Sequence, residues 1–237
     1  KYAYKNATAL STISDDMKST IITRYGISED KVQVIYNWGH EELKAHSEQD
    51  NVFLKKYPKK PGEFRVVYAG NLGKMQNVEL ILETAALMKD DADISFYIVG
   101  GGVNEVQLRT FAKEKDLNNV TFVGMQPPEE VADLYAAADV NVIPLQKRLI
   151  YAALPSKTAD CLIAGKPIIT CVDEDSEFAK LVETVGFHNA NPEHPEDLVR
   201  LIKCQRDGDF NHPADTTAWE QIFSKSINVL RHCSSIE

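Results

Sequence analysis

The sequence predicts an α/β fold built on a doubly wound parallel sheet, and three observations predict it. Five short apolar runs, Phe64–Ala69, Ile94–Val99, Val120–Val123, Val140–Leu145 and Pro167–Val172, are rich in Val, Ile, Phe or Tyr. Each is bounded by Gly, Pro, Asp or Asn, the pattern of strands buried on both faces. Between the runs lie segments of helical period. The alternation repeats every ~20–30 residues, the length of a right-handed βαβ unit, and successive units give a parallel sheet covered on both faces.

The elements follow in order. Ala7–Ser14 and Lys31–Asn37 read as strands flanking a helix over Asp15–Tyr25, with Gly26 as its stop. Glu41–Pro61 is polar and charged and runs into Tyr57-Pro58-Lys59-Lys60-Pro61-Gly62, the composition of a linker or exposed excursion. After the first sheet strand, Val78, Ile81, Leu82 and Ala85 share one helical face. Leu108, Phe111 and Ala112 share another, and Val131, Leu134, Tyr135 and Ala138 follow the i, i+3, i+4, i+7 pattern. Beyond the last strand come helical sets at Phe178, Leu181 and Val182 and at Leu198, Leu201 and Ile202. A final helix carries Trp219, Ile222, Phe223, Ile227 and Leu230.

Composition narrows the function. With 43% hydrophobic and 26% charged residues in 237, the chain reads as an ordinary globular protein. A net charge of −9 argues against a nucleic-acid surface, which needs clustered Lys and Arg. The cysteines, Cys161, Cys171, Cys204 and Cys233, form no CxxC pair and read as buried thiols, which suits a reducing, cytoplasmic setting. No apolar run approaches the ~20 residues of a membrane span. Opening at Lys1, without Met or a signal-peptide pattern, the chain reads as a cut from a longer protein. The six histidines are dispersed, and His188, His194 and His212 fall in loop-like, solvated sequence.

An open doubly wound sheet binds ligands outside the carboxyl ends of its strands, so the strand-to-helix loops are the candidates for chemistry. Gly70-Asn71-Leu72-Gly73-Lys74 follows the first sheet strand and enters a helix. Its glycines allow close backbone approach, and helix-start amides, Lys74 and Asn71 offer donors, although two glycines also make a plain tight turn. Gly100-Gly101-Gly102 leaves a patch bare of side chains on which a planar group can lie, or is a flexible turn. Leu154-Pro155-Ser156-Lys157 opens a helix with Ser156 as a natural N-cap. Asp160, one turn in, is placed either to reach a ribose diol or to complement the helix dipole. Together the loops offer donors for a diphosphate, a surface for a base and a carboxylate for a ribose.

The same segments carry a family resemblance. Tyr68-Ala-Gly-Asn-Leu-Gly-Lys-Met-Gln-Asn, Ile98-Val-Gly-Gly-Gly, Leu134-Tyr-Ala-Ala-Ala-Asp-Val with Ile143-Pro144, and Leu154-Pro-Ser-Lys-Thr-Ala-Asp-Cys-Leu-Ile-Ala-Gly-Lys-Pro resemble the family-4 retaining glycosyltransferases of the two-Rossmann GT-B fold. Within that family the likeness is to bacterial enzymes of surface-polysaccharide and amino-sugar transfer. The resemblance covers residues 60–205 and implies the C-terminal, nucleotide-sugar-binding half. It divides the chain into a remnant of the N-terminal acceptor-side domain (1–45), a linker (46–62), the Rossmann-like domain (63–212) and a helix crossing back to the partner domain (213–237). The donor site it implies comprises Gly70, Asn71, Leu72, Gly73, Lys74, Gly100, Gly101, Gly124, Met125, Leu154, Pro155, Ser156, Lys157 and Asp160.

Two departures from the family pattern stand out. Many members carry two glutamates eight residues apart; here the second position is Asp160 and the first is Ala152. Many also place an Arg and a Lys in the first loop, where this chain has Asn71 and Gln76, leaving Lys74 or Lys157 to supply the charge. The resemblance implies retaining transfer of a hexosyl or N-acetylhexosaminyl group from a nucleoside diphosphate sugar, UDP-linked by expectation, to a saccharide or lipid-linked acceptor. No metal or other cofactor is expected, since no carboxylate pair sits near the candidate phosphate loops, and the net charge already argues against a nucleic-acid partner; peripheral association of the full-length enzyme at the inner membrane face is expected. A sugar-nucleotide epimerase on the same fold, and a nucleotide-binding module inactive on its own, are the rival readings.

Overall fold

The computed structural model describes residues 2–39, 44–184 and 186–209. A small opening unit comes first: helix α1 (Tyr2–Asn6), strand β1 (Leu10–Thr12), helix α2 (Asp15–Tyr25) and strand β2 (Val32–Val34). The two strands pair in parallel, and both are shorter than their apolar runs suggest. Helix α2 begins and ends where its sequence predicts. Ser14 caps it by accepting the Met17 amide at 3.2 Å, and Gly26 stops it in the left-handed region at φ 63°.

Residues 44–62 are more ordered than their composition suggests. They contain helix α3 (Val52–Lys56), capped by the Asn51 side chain, with Phe53 completely buried. This segment is fastened to helix α6 (Val131–Ala136). The buried Asp133 carboxylate accepts the amides of His46 and Val52, both at 2.7 Å, and the His46 ring Nδ1 lies 3.0 Å away. Burial alone would push the Asp133 carboxyl up, but these bonds outweigh it and hold it below the usual range.

The larger unit is a six-stranded parallel sheet of β3 (Phe64–Ala69), β4 (Ile94–Val99), β5 (Val120–Val123), β6 (Val140–Pro144), β7 (Ile168–Cys171) and β8 (His188–Ala190). Its order is β5-β4-β3-β6-β7-β8, so the winding reverses between β3 and β6. Alternate residues of each strand feed two cores. Val67 and Ala69 pack with α6, with α7 (Lys157–Ile163) and with α8 (Glu177–Thr184). Val66 and Tyr68 pack with α4 (Val78–Leu87), α5 (Glu105–Glu114) and α9 (Pro195–Asp207).

The opening unit docks on this sheet through α2. Its buried Asp16 accepts the first amides of α8, Glu177 at 2.8 Å and Phe178 at 3.0 Å. Burial raises the Asp16 carboxyl pKa by more than those amides lower it. Thr20 adds a bond to the Tyr151 carbonyl at 3.1 Å. The final helix around Trp219–Leu230, His212, Cys233 and the 213–237 segment lie outside the described residues. Three elements were not foreseen, α1, α3 and β8, and His188 stands on β8, partly buried, not in a solvated loop. No helix among the described residues is long and apolar enough to cross a membrane.

Candidate functional site

The reversal of winding opens a crevice between the carboxyl ends of β3 and β6, where open α/β sheets place their ligands. There the structure has a cavity of about 400 Å³. Gly70, Asn71, Met75 and Gln76 from the loop after β3 form one side, and Leu154, Pro155, Ser156, Lys157 and Asp160 from the loop after β6 and the first turn of α7 form the other.

The glycines of β3 and β4 serve close packing of backbone. Gly70 is at φ 146° and Gly100 at φ 138°, and a Cβ on Gly100 would lie 1.9 Å from the Gly70 carbonyl oxygen. A Cβ on Gly102 would lie 2.5 Å from Asn71 Oδ1 and 2.6 Å from the Leu72 carbonyl carbon. The Leu72 amide donates to the Gly101 carbonyl at 3.0 Å, and its own carbonyl accepts from Asn104 at 2.9 Å. The glycine run therefore cradles the first loop and is not a bare surface for a planar group.

Lys157 is the electrostatic centre of the cavity. Its Nζ is buried and has no hydrogen-bond partner among the described residues. It stands 4.0 Å from the centroid of the Tyr68 ring, a cation–π arrangement. A Cβ on Gly70 would fall 2.6 Å from that Nζ, so a larger residue there would displace the end of the lysine side chain. Burial pushes the Lys157 ammonium down to about 8. Tyr68 is fixed in turn by donating its hydroxyl to the Asn71 carbonyl at 2.7 Å. An unpaired buried ammonium is expensive, so such a site favours an anion.

Asp160 belongs to two cavities. Besides the first, it lines a smaller one of about 170 Å³ with the apolar side chains of Pro128, Val131, Ala132 and Ile163. A cation, a carboxylate one helical turn on and an apolar hollow therefore follow one another along α7.

Of the residues the sequence singled out, the cavity brings together Gly70, Asn71, Leu154, Pro155, Ser156, Lys157 and Asp160. Leu72 lies in the core with both backbone groups engaged. Gly73 and the exposed Lys74 stand outside the cavity lining, and Gly100 and Gly101 lie against the first loop. Gly124 and Met125 are exposed at the end of β5, Met125 to 79%, a few residues before Pro128. Ser156 does not cap α7: its backbone is already helical and its side chain makes no cap bond, because Thr158 donates its amide and hydroxyl to the Pro155 carbonyl instead. Sequence reasoning missed Tyr68 and Tyr135 as parts of the site. The signal for Tyr68 was its place at the carboxyl end of the strand that leads into Gly70. Among the described residues, no group of three His, Cys, Asp or Glu is placed to hold a metal ion.

Fold and cavity define the class: a doubly wound α/β domain with a cavity and a buried lysine at its switch point. The family model described as glycosyl transferases group 1 matches residues 49–203, and the chain belongs to that family. Among curated proteins, the probable glycosyltransferase WbjE of Pseudomonas aeruginosa is 25% identical over 239 residues, spanning 99% of this chain and 59% of WbjE. Among solved structures, Anabaena Alr3699/HepE in complex with UDP and glucose superposes with a TM-score of 0.81 at 18% identity. That alignment covers 99% of this chain and 64% of the HepE chain. WaaG, a glycosyltransferase involved in lipopolysaccharide biosynthesis, aligns with a TM-score of 0.72 at 15% identity, over 95% of this chain and 61% of its own. The chain thus spans about three-fifths of the length of each of these three relatives, and its fold is shared with GT-B glycosyltransferases.

Proposed function

We propose that this chain is the donor-binding, C-terminal half of a family-4 retaining glycosyltransferase that uses a UDP-linked sugar. The observation that carries the reading is the buried, unpartnered Lys157 ammonium in the switch-point cavity, with Asp160 one turn along the same helix. In this reading the diphosphate lies against Lys157 and the Gly70–Asn71 backbone. The ribose hydroxyls donate to Asp160, and the base enters the apolar hollow beside Pro128 and Val131, with Gly124 and Met125 at its mouth. Lys74, exposed and off the cavity, is not the cation of the site.

Transfer breaks the bond between the sugar's anomeric carbon and the terminal phosphate oxygen, which leaves with the bonding electrons. A fixed ammonium at that oxygen stabilises the charge as it develops, and the low-dielectric setting strengthens the effect. No metal or other cofactor is needed in this scheme. The choice of UDP draws on the HepE complex and on the family resemblance. The acceptor, a saccharide or lipid-linked sugar, is assigned to an N-terminal domain that the opening unit resembles in part. Transfer is therefore expected only when that domain completes the cleft and brings acceptor to donor. A cytoplasmic enzyme resting on the inner membrane face fits an acceptor of that kind.

A thermal-shift panel tests the reading. UDP is expected to stabilise the protein more than ADP, GDP or CMP, by about 2.7 kcal/mol at 100 times its Kd. No shift with any of the four at millimolar concentration would overturn the assignment of a nucleotide site.

A further inference from the structure

Resting on the donor-site reading, we propose that Lys157 is a proton-coupled anchor: the diphosphate binds its ammonium form and draws a proton into the site, so donor affinity falls as the solution becomes alkaline. The geometry sets this up. Lys157 Nζ is enclosed by the Tyr68 ring below and the Gly70 backbone beside it, with no hydrogen-bond partner among the described residues. Three of the groups near it are uncharged at neutral and mildly alkaline pH. Tyr68 from β3, Tyr135 from α6 and Cys161 one turn along α7 all have their pKa pushed up, in each case first by burial. Asn71 is neutral, and the carboxylate lining the same cavity is Asp160.

In the ligand-free protein the amine therefore loses its proton unusually early, at about 8, because burial penalises the charged form. A diphosphate against Nζ reverses the balance, since an adjacent anion favours the ammonium. Between those two pKa values the free protein holds the neutral amine and the complex holds the ammonium. Binding in that window takes one proton from solvent, and affinity drops by up to about tenfold per pH unit. A cation supplied by arginine would show no such dependence, because its guanidinium keeps its proton throughout. The linkage is a consequence of placing a lone lysine where Asn71 and Gln76 bring no charge.

Calorimetric titration of UDP-glucose at pH 7 and pH 9, each in two buffers of different ionisation enthalpy, reads both quantities. The expected result is a fall in affinity of about tenfold between the two pH values, with uptake approaching one proton at pH 9. Lys157→Gln should bind more weakly at pH 7 and lose the proton uptake. Affinity constant within twofold with no proton uptake, or a Lys157→Gln profile parallel to that of the native protein, overturns the proposal while leaving the donor site standing. Failure of both UDP and UDP-glucose to bind at pH 7 instead overturns the donor reading on which it rests.

Discussion

Two cations are buried at opposite ends of β3, each over a tyrosine ring, and they have opposite surroundings. Arg65, at the start of the strand, is fully buried with its guanidinium 4.2 Å from the Tyr97 ring centroid. It donates to Glu63 at 3.1 Å, to the Tyr57 carbonyl at 3.0 Å and to the Tyr97 hydroxyl at 3.3 Å. Lys157, over the other end of the strand, stands 4.0 Å from the Tyr68 ring and has no hydrogen-bond partner among the described residues. Stacking is common to both, so it does not set their roles. A buried cation with its hydrogen bonds satisfied is part of the architecture; one left unsatisfied beside a cavity stores an interaction for a ligand.

The comparison breaks first if Arg65 proves dispensable. Arg65→Met would leave Glu63 buried and charged with its principal partner gone. Burial raises the Glu63 carboxyl, but Arg65 and the Lys60 amide now outweigh it and hold the carboxyl low. Denaturant unfolding is expected to show a loss of about 3–5 kcal/mol, the usual cost of removing one member of a buried pair. A loss under about 1 kcal/mol would mean that the buried Arg65–Glu63 pair contributes little to the architecture.

Lys157 should behave in the opposite sense. Its pKa in the folded protein is lowered to about 8, while the unfolded chain titrates near 10.4. Between those values the unfolded state binds more protons, so this residue's contribution makes stability rise with pH through that window. Lys157→Met should remove that rise and stabilise the ligand-free protein at pH 7 by up to about 3 kcal/mol. Destabilisation by this substitution would contradict the account of an unsatisfied charge.

Asp160 extends the comparison from cation to carboxylate. If it accepts the ribose hydroxyls, Asp160→Asn removes a charge-assisted bond worth roughly 1.5–3 kcal/mol and weakens UDP binding about ten- to hundredfold. A change below threefold would return Asp160 to a helix-dipole role. The smallest effect is expected at Ser156. Replacing a capping serine by alanine costs ~1 kcal/mol, but this hydroxyl makes no cap bond, so Ser156→Ala should stay within about 0.5 kcal/mol of wild type.

Much of the architecture was legible because the signals were local. Apolar runs bounded by turn residues marked five of the six sheet strands, and Gly26 marked the end of α2. Strand β8 was not legible: it is three residues long, reads His-Asn-Ala, and among the described residues pairs only with β7. Helix α3 was hidden by the polar sequence around it, although Asn51 before Val52-Phe53-Leu54 is a cap preceding an apolar group. The site was legible as a set of loops but not as a geometry. Lys157 sits in a Pro-Ser-Lys turn that looks solvated, and its burial depends on Tyr68 and Gly70, far away in the chain. The glycine run after β4 looked open because sequence does not reveal that the Gly70–Leu72 backbone fills the space.

The most direct test of the central claim is the affinity of UDP for wild type and Lys157→Met at pH 7, measured by calorimetry on protein shown to be folded. If the unpartnered ammonium is the anchor of the diphosphate, the variant should bind UDP at least tenfold more weakly while unfolding no more easily than wild type. Equal affinity within threefold would contradict the claim and leave the buried lysine without a ligand.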